Sequence, residues 1–380
     1  MSEELRPPGA PAERIPVTVI TGFLGSGKTT LLKHLLTQPE LADAAVIINE
    51  FGEVGLDHVL VETSSDDNTV LLSSGCLCCT VRGDLIDTLR RLFLRRRNGE
   101  IPEFRRVVIE TTGLADPAPV LHTLMQDPLV AAVFRLDGVV TTIDAVNGMA
   151  QLDRQMESVK QAAVADRLLL TKSDFAREAD IAGLRDRLRK LNPAAPIIPA
   201  DHGAVPASAL LDAGLYNPET KSLDVRRWLK AEAYAGAHDH GHDHEQHDHG
   251  HHHHEDAHPD QDPHDVNRHD ARISAFALDW APPIDWARFV DWIEMLITGN
   301  GENLLRIKGI LNVAGEDAPV AIHGVQHLFH PPVALPAWPD GDRHSRIVFI
   351  SRDIRRETIE GSFRAFMAAP MDSAAVMPQA

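Results

Sequence analysis

The sequence predicts an α/β fold, a mostly parallel sheet covered by helices, followed after a polar break by a small α+β domain. Three observations carry that expectation. Short Val- and Ile-rich runs alternate with helical patterns through the first part of the chain, a glycine-rich loop joins the first such pair, and an abrupt His/Asp tract separates this part from the rest.

Residues 1–14, rich in Pro, Glu and Ala, read as a flexible arm, and order is expected to begin at Ile15. The run Val17–Thr21 is a strand and Lys28–Leu36 the helix after it. Further runs or helical patterns occupy Ala45–Ile48, Arg82–Arg97, Arg106–Ile109, Val120–Met125, Val139–Ile143, Leu168–Thr171 and Glu178–Leu191. Together they assign an α/β domain to residues 15–232. Its ligand site is expected beyond the C-terminal ends of the strands. From Ala237 to Asp270 the chain is almost entirely His, Asp, Gly, Glu and Pro, which cannot bury enough apolar surface to fold alone, so 233–271 is read as a flexible linker. Beyond it, Arg272–Asp279 alternates as a half-buried strand, Trp286–Ile297 has helical spacing, and Leu304–Val313, Ala321–Phe329 and Ser345–Ile350 read as strands. These place the α+β domain over 272–370, with 371–380 as a tail.

A chain of 380 residues with 43% apolar and 24% charged side chains has the composition of two folded domains. A formal net charge of −18 repels phosphate backbones, so no nucleic-acid partner is expected. The short basic run Arg95-Arg96-Arg97 ends a helical pattern and answers the helix dipole. No apolar run is long enough to span a membrane, and the N-terminal residues lack the pattern of an export signal. All three cysteines fall within four residues, so no disulfide can tie distant segments together. A reducing, cytoplasmic location is the expectation.

Strand Val17–Thr21 runs directly into Gly22-Phe23-Leu24-Gly25-Ser26-Gly27-Lys28-Thr29-Thr30, which satisfies the G-x-x-x-x-G-K-[ST] pattern of a P-loop in its proper strand-to-helix setting. Gly22, Gly25, Ser26 and Gly27 let backbone N–H groups turn inward around phosphate oxygens, Lys28 reaches the β- and γ-phosphates, and the Thr29 hydroxyl ligates Mg²⁺ beside Thr30. Glu110-Thr111-Thr112-Gly113 follows another strand. There the Glu110 carboxylate is placed to hold the Mg²⁺ water shell and the Gly113 N–H to sense the γ-phosphate, so Lys28, Glu110 and Gly113 are the candidate catalytic residues. Thr171-Lys172-Ser173-Asp174 points to guanine: Asp174 accepts from both N–H groups on the guanine edge, and Lys172 stacks along the base. Adenine has no such donor pair.

Cys76-Leu77-Cys78-Cys79 precedes a helical pattern. Three thiols at this spacing suit a soft or borderline ion such as Zn²⁺ or Co²⁺, and leave one position of a tetrahedral ion open, as a site built to release its metal requires. An iron–sulfur cluster normally takes four cysteines. The tract from His238 to His269 holds 13 of the chain's 21 histidines, enough for a metal-capturing or buffering segment, although a plain solvated tether has the same composition.

With these residues in view, the chain resembles the CobW-like family of metal-handling GTPases, in its zinc-chaperone branch. The resemblance rests on Gly22–Thr30, Asn49–Asp57, Gly75–Cys79, Glu110–Pro117, Thr171–Asp174 and the His-rich connector before a small C-terminal domain. It implies that Asn49–Asp57 is a nucleotide-responsive switch in which Glu53 adds a metal or Mg²⁺ ligand, and that Cys76, Cys78 and Cys79 bind the delivered metal. It also implies GTP hydrolysis to GDP, a metalloprotein client, and a docking or gating role for the C-terminal domain; with no arginine finger identifiable in the sequence, intrinsic turnover is expected to be slow. Two departures matter. Thr171 stands where many GTPases have Asn, which is expected to remove one brace between that loop and the P-loop. The arm also lacks the short hydrophobic motif with which family zinc transferases engage methionine aminopeptidase, so that client is not expected. A cobalt or nickel insertion factor, or a His-rich metal store, remains compatible with the same residues.

Overall fold

The structure, a computed structural model, describes residues 14–49, 70–74, 81–200, 202–211, 272–338 and 342–368. Outside these lie Cys76, Cys78 and Cys79, Glu53, and nearly all of the expected arm, linker and tail.

The first domain runs β1 (Ile15–Gly22), α1 (Lys28–Leu35), β2 (Ala44–Asn49), β3 (Val70–Ser74), α2 (Val81–Arg97), β4 (Arg106–Glu110), α3 (Ala118–Gln126), α4 (Pro128–Val133) and β5 (Phe134–Asp144). It continues through α5 (Gly148–Arg154), α6 (Met156–Ala163), β6 (Arg167–Thr171), α7 (Glu178–Leu191), β7 (Ile197–Pro199) and α8 (Ala207–Leu210). Seven parallel strands lie in the order β3-β2-β4-β1-β5-β6-β7. The order reverses at β1, which sits between β4 and β5, so the carboxyl ends of these central strands open a crevice.

Both faces of the sheet are covered, which is why its strands read as continuous apolar runs rather than alternating ones. Val17 and Val19 of β1 pack with Leu85 and Leu89 of α2 and Leu121 and Leu124 of α3. Ile20 packs on the other face with Leu31, Leu32 and Leu35 of α1. Burying each such side chain contributes about 1.5–3 kcal/mol, so α1, only eight residues long, is held by its packing rather than by intrinsic helix stability.

The second domain runs β8 (Ile273–Trp280), α9 (Trp286–Asn300), β9 (Leu304–Leu311), β10 (Val320–Val325), β11 (Leu328–Phe329), β12 (Val333–Ala334), β13 (Ser345–Arg352) and α10 (Arg356–Ala368). Its antiparallel sheet has the order β11-β10-β9-β13-β8, with β12 beside β10. Period-two alternation splits β13 between two cores. Ile347 and Phe349 face α9 and α10, packing with Trp292 and Phe363, whereas Val348 and Ile350 face the first domain's Leu184 and Leu188 of α7.

An ion cluster fastens the same junction. Asp166, buried between α6 and β6, accepts from Arg306 Nη2 at 2.7 Å and from Lys308 Nζ, and also accepts the Val139 N–H at 2.9 Å. Burial pushes the Asp166 carboxyl upward, but the adjacent Arg306, Lys308 and His323 more than reverse this and hold it far below the usual carboxylate range. Burial lowers the Lys308 ammonium to about 8, against the opposing pull of Asp166.

The expected α/β domain and the α+β domain are both present as folds, with differences. The short elements β3, α4, α5, α6, β7 and α8 are not evident from sequence periodicity. The run Ala321–Phe329, read as one strand, is a hairpin: Gly324 pairs with Phe329 and Val325 with Leu328 around a turn whose Gln326 adopts φ 55°. The turn carries neither Gly nor Asn, so its sequence gives no signal for the left-handed conformation.

Candidate functional site

The glycine loop between β1 and α1 is a turn closed by a Ser26 N–H to Phe23 carbonyl hydrogen bond of 3.1 Å. Gly22, at φ 142°, is irreplaceable on steric grounds: a Cβ there would lie 2.2 Å from Thr142 Oγ1 and 2.5 Å from the Thr142 carbonyl. Gly27 caps α1 in the left-handed region at φ 93° without a side-chain hydrogen bond, leaving the helix N-terminal N–H groups available to an anion. The largely buried Lys28 donates to the carbonyls of Gly22 at 2.9 Å and Phe23 at 3.2 Å, which fixes its ammonium inside the loop.

Thr29 and Glu110 meet across the crevice. The Thr29 hydroxyl donates to Glu110 Oε1 at 2.8 Å, joining the first turn of α1 to the end of β4. A hydroxyl and a carboxylate so close form a hard oxygen pair, the donor set that Mg²⁺ takes together with phosphate oxygens and water. They line a cleft of about 290 Å³ with Leu24, Gly25, Lys28, Thr111, Thr112, Gly113 and Leu114. Among the described residues the buried Thr112 hydroxyl, on that lining, has no hydrogen-bond partner. Gly113 lies against the P-loop itself: a Cβ there would come within 2.6–2.8 Å of Leu24 atoms. The structure brings Lys28, Thr29, Glu110 and Gly113, which the sequence singled out, to one cleft.

The segment Thr171–Asp174, expected to recognise guanine, lies at the end of β6, at the same edge of the sheet. Here one expectation is corrected: Thr171 does brace the P-loop, because its hydroxyl lies 2.8 Å from the Ser26 carbonyl and 3.1 Å from the Ile143 carbonyl. A hydroxyl at this point reaches the loop backbone directly, so an amide is not required. Lys172, at φ 57°, places its Nζ 2.7 Å from Asp144 Oδ2. Burial pushes the Asp144 carboxyl upward, but hydrogen bonds from Lys172 and then from Asn147 and Val146 outweigh it and keep its pKa below the usual value. Asp174 is exposed at the surface, 3.7 Å from His202 Nε2. A Cβ on Gly203, at φ 83°, would lie 3.2 Å from the Thr30 carbonyl, so the chain here runs close against α1.

Sequence reasoning missed Asp144, Thr142 and Gln161. The Ser26 and Thr142 hydroxyls are 2.6 Å apart, and the buried Gln161 of α6 donates to the carbonyls of Gly113 at 3.2 Å and Ala115 at 3.0 Å. Polar residues Thr141, Thr142 and Asp144 ending an otherwise apolar strand were the available signal.

A family model described as the CobW/HypB/UreG nucleotide-binding domain matches residues 16–199, and one described as the cobalamin synthesis protein CobW C-terminal domain matches 273–367. The zinc chaperone YjiA of Escherichia coli is 32% identical over 349 residues, covering 92% of this chain and 98% of YjiA. The chain belongs to the CobW family of P-loop GTPases. This CobW-family chain also matches the crystal structure of Zn(II)-bound YjiA GTPase from E. coli with a TM-score of 0.66 at 30% identity, covering 93% of this chain and 99% of that one. A fission yeast relative, the zinc-regulated GTPase metalloprotein activator 1 of Schizosaccharomyces pombe, is 36% identical over 215 residues, 55% of this chain and 51% of its own. No helix among the described residues of the CobW-family chain is long and apolar enough to cross a membrane.

Proposed function

We propose that this protein hydrolyses GTP and uses the nucleotide cycle to bind Zn²⁺ at Cys76, Cys78 and Cys79 and pass it to a metalloprotein client. The observation that carries the reading is the cleft in which Lys28, Thr29, Glu110 and Gly113 converge beside a helix N-terminus, at the carboxyl edge of a parallel sheet. Zinc chaperones among its relatives support the cargo.

In this reading Lys28 and the backbone N–H groups of Gly25, Gly27 and Thr30 hold phosphate oxygens around the turn that the Ser26 N–H closes, while Thr29 and Glu110 would hold Mg²⁺. That ion supplies charge neutralisation on the transferring phosphoryl group. The Gly113 N–H and the Thr112 hydroxyl meet the γ-phosphate. Asp174 recognises the guanine edge, and Asp144 fixes the Lys172 head so that the aliphatic stem covers the base. GTP orders the segment Asn49–Asp57, including Glu53, and with it the cysteine loop; hydrolysis weakens the site and releases the ion. The domain bounds expected from the sequence, 15–232 and 272–370 with a His-rich segment over 233–271, would give the cysteine motif a secondary metal carrier. The cytoplasm, where free thiolates persist, is the compartment.

Binding linkage tests the proposal. If GTP tightens zinc binding, zinc must tighten GTP binding by the same factor, so GTP affinity measured with and without Zn²⁺ is expected to differ, and equal affinities would overturn it. Turnover without a client is expected near ~10⁻⁴ to 10⁻² s⁻¹. Co²⁺ fits the same thiolates, and a measured preference for Co²⁺ over Zn²⁺ would move the function to cobalt insertion.

A further inference from the structure

The loop that carries Gly113 is gripped by both domains. Asp116 Oδ1 accepts the Ala118 N–H at 3.0 Å, which secures the start of α3. Its other oxygen, Oδ2, accepts Lys160 Nζ of α6 at 2.8 Å and Gln326 Nε2 of the second domain at 3.1 Å. Gln161, the next residue of α6, holds the carbonyls of Gly113 and Ala115.

Gln326 belongs to a rigid projection. It occupies the β10–β11 turn at φ 55°, a conformation that non-glycine residues adopt at a cost. On either side of it the turn is clipped to α3: His122 Nε2 lies 3.2 Å from the Val325 carbonyl, and the His122 and His327 rings meet edge to face with centroids 4.7 Å apart. Behind it, Gly301 presses so close that a Cβ would sit 2.8 Å from His327 Cβ. Three consecutive residues of the second domain therefore engage the segment that leads out of the nucleotide cleft.

We propose that Gln326 is a positioning residue for GTP turnover: through Asp116 it holds the Gly113 loop against the P-loop, so the C-terminal domain sets the rate at the nucleotide site. Gly113 already lies against Leu24, and the Gln326–Asp116 hydrogen bond joins a fixed turn to that loop three residues downstream. The inference rests on the reading that Gly113 meets the γ-phosphate. GDP lacks that phosphate, so the contact should matter to turnover and not to GDP affinity.

The test compares Gln326→Leu, Asp116→Asn and the double variant in the full chain, reading kcat and KM for GTP, Kd for GDP, and Tm. Asn retains an acceptor for the Ala118 N–H but loses the charge. A hydrogen bond to a charged group is worth enough to change kcat by about tenfold. Gln326→Leu is expected to lower kcat by about five- to tenfold with GDP affinity within about twofold, and the double variant to lose little more than Asp116→Asn alone. An unchanged kcat, independent effects in the double variant, or a parallel fall in Tm, GDP affinity and kcat would overturn the proposal. Gly113→Ala separates the layers. If it leaves the preference for GTP analogues over GDP intact, the reading of Gly113 fails; if it abolishes that preference while Gln326→Leu leaves kcat unchanged, only the role of Gln326 fails.

Discussion

The Thr171 hydroxyl lies 2.8 Å from the Ser26 carbonyl, a hydrogen bond between the end of β6 and the phosphate-binding loop across 145 residues of sequence. Both partners are buried. Thr171→Val keeps the shape and removes the donor, leaving the Ser26 carbonyl without this partner. The cost of about 1–3 kcal/mol is expected to appear as nucleotide affinity weakened by roughly tenfold, for GTP and GDP alike, in fluorescent-nucleotide titration. Thr171→Asn, which restores a donor, is expected to recover most of it.

Gly22 and Gly25 make a matched pair for testing the loop. A Cβ on Gly22 collides with Thr142 and Ser26, whereas a Cβ on Gly25 meets nothing within 4 Å and strains only the backbone at φ 70°. Gly25→Ala is expected to cost about 1–2 kcal/mol, roughly tenfold in nucleotide affinity. Gly22→Ala should reduce affinity by more than about a hundredfold, because the loop must open to accept the methyl group.

Asp166 carries the domain junction. Asp166→Ala leaves Arg306 and Lys308 buried without their shared carboxylate and removes the acceptor of the Val139 N–H. Breaking a buried pair from one side costs about 3–5 kcal/mol, which urea unfolding at neutral pH should register as a loss of that size. A loss below about 1 kcal/mol would mean that the cluster is solvated.

Two histidines near that junction make stability fall in mild acid. Burial lowers the His330 pKa from 6.5 to about 4, and burial followed by Arg306 and Lys308 pushes His323 well below its ordinary value. Both folded pKa values are depressed, so the unfolded chain takes up protons first as pH drops. Their contribution is present above pH 6.5 and is lost progressively as pH falls toward about 4. From its shift, His330 alone accounts for about 3 kcal/mol over that window. Urea midpoints measured between pH 7 and 5 should decline, and His330→Leu should flatten the decline.

The phosphate loop was legible because its glycines, Lys28 and Thr29 act through local backbone geometry that any P-loop must reproduce. Strands such as Val17–Thr21 and Ser345–Ile350 were legible through their apolar runs. Other parts of the site were not, because their partners are remote in sequence. Lys172 reaches Asp144 across 28 residues, Gln161 reaches Gly113 across 48, and Gln326 reaches Asp116 across 210. The missing Asn at position 171 predicted a lost brace, and only the geometry revealed that threonine supplies it. The hairpin at Gln326 was hidden for a related reason: the contacts on either side of it belong to the other domain.

The most direct measurement is Zn²⁺ affinity by competition titration with GTP–Mg²⁺, with GDP–Mg²⁺ and without nucleotide, for the wild type and a Cys76/Cys78/Cys79→Ala variant. The account predicts one site tightened by GTP and absent from the variant. A zinc affinity that ignores nucleotide and survives the triple replacement would contradict it and transfer metal binding to the histidine tract.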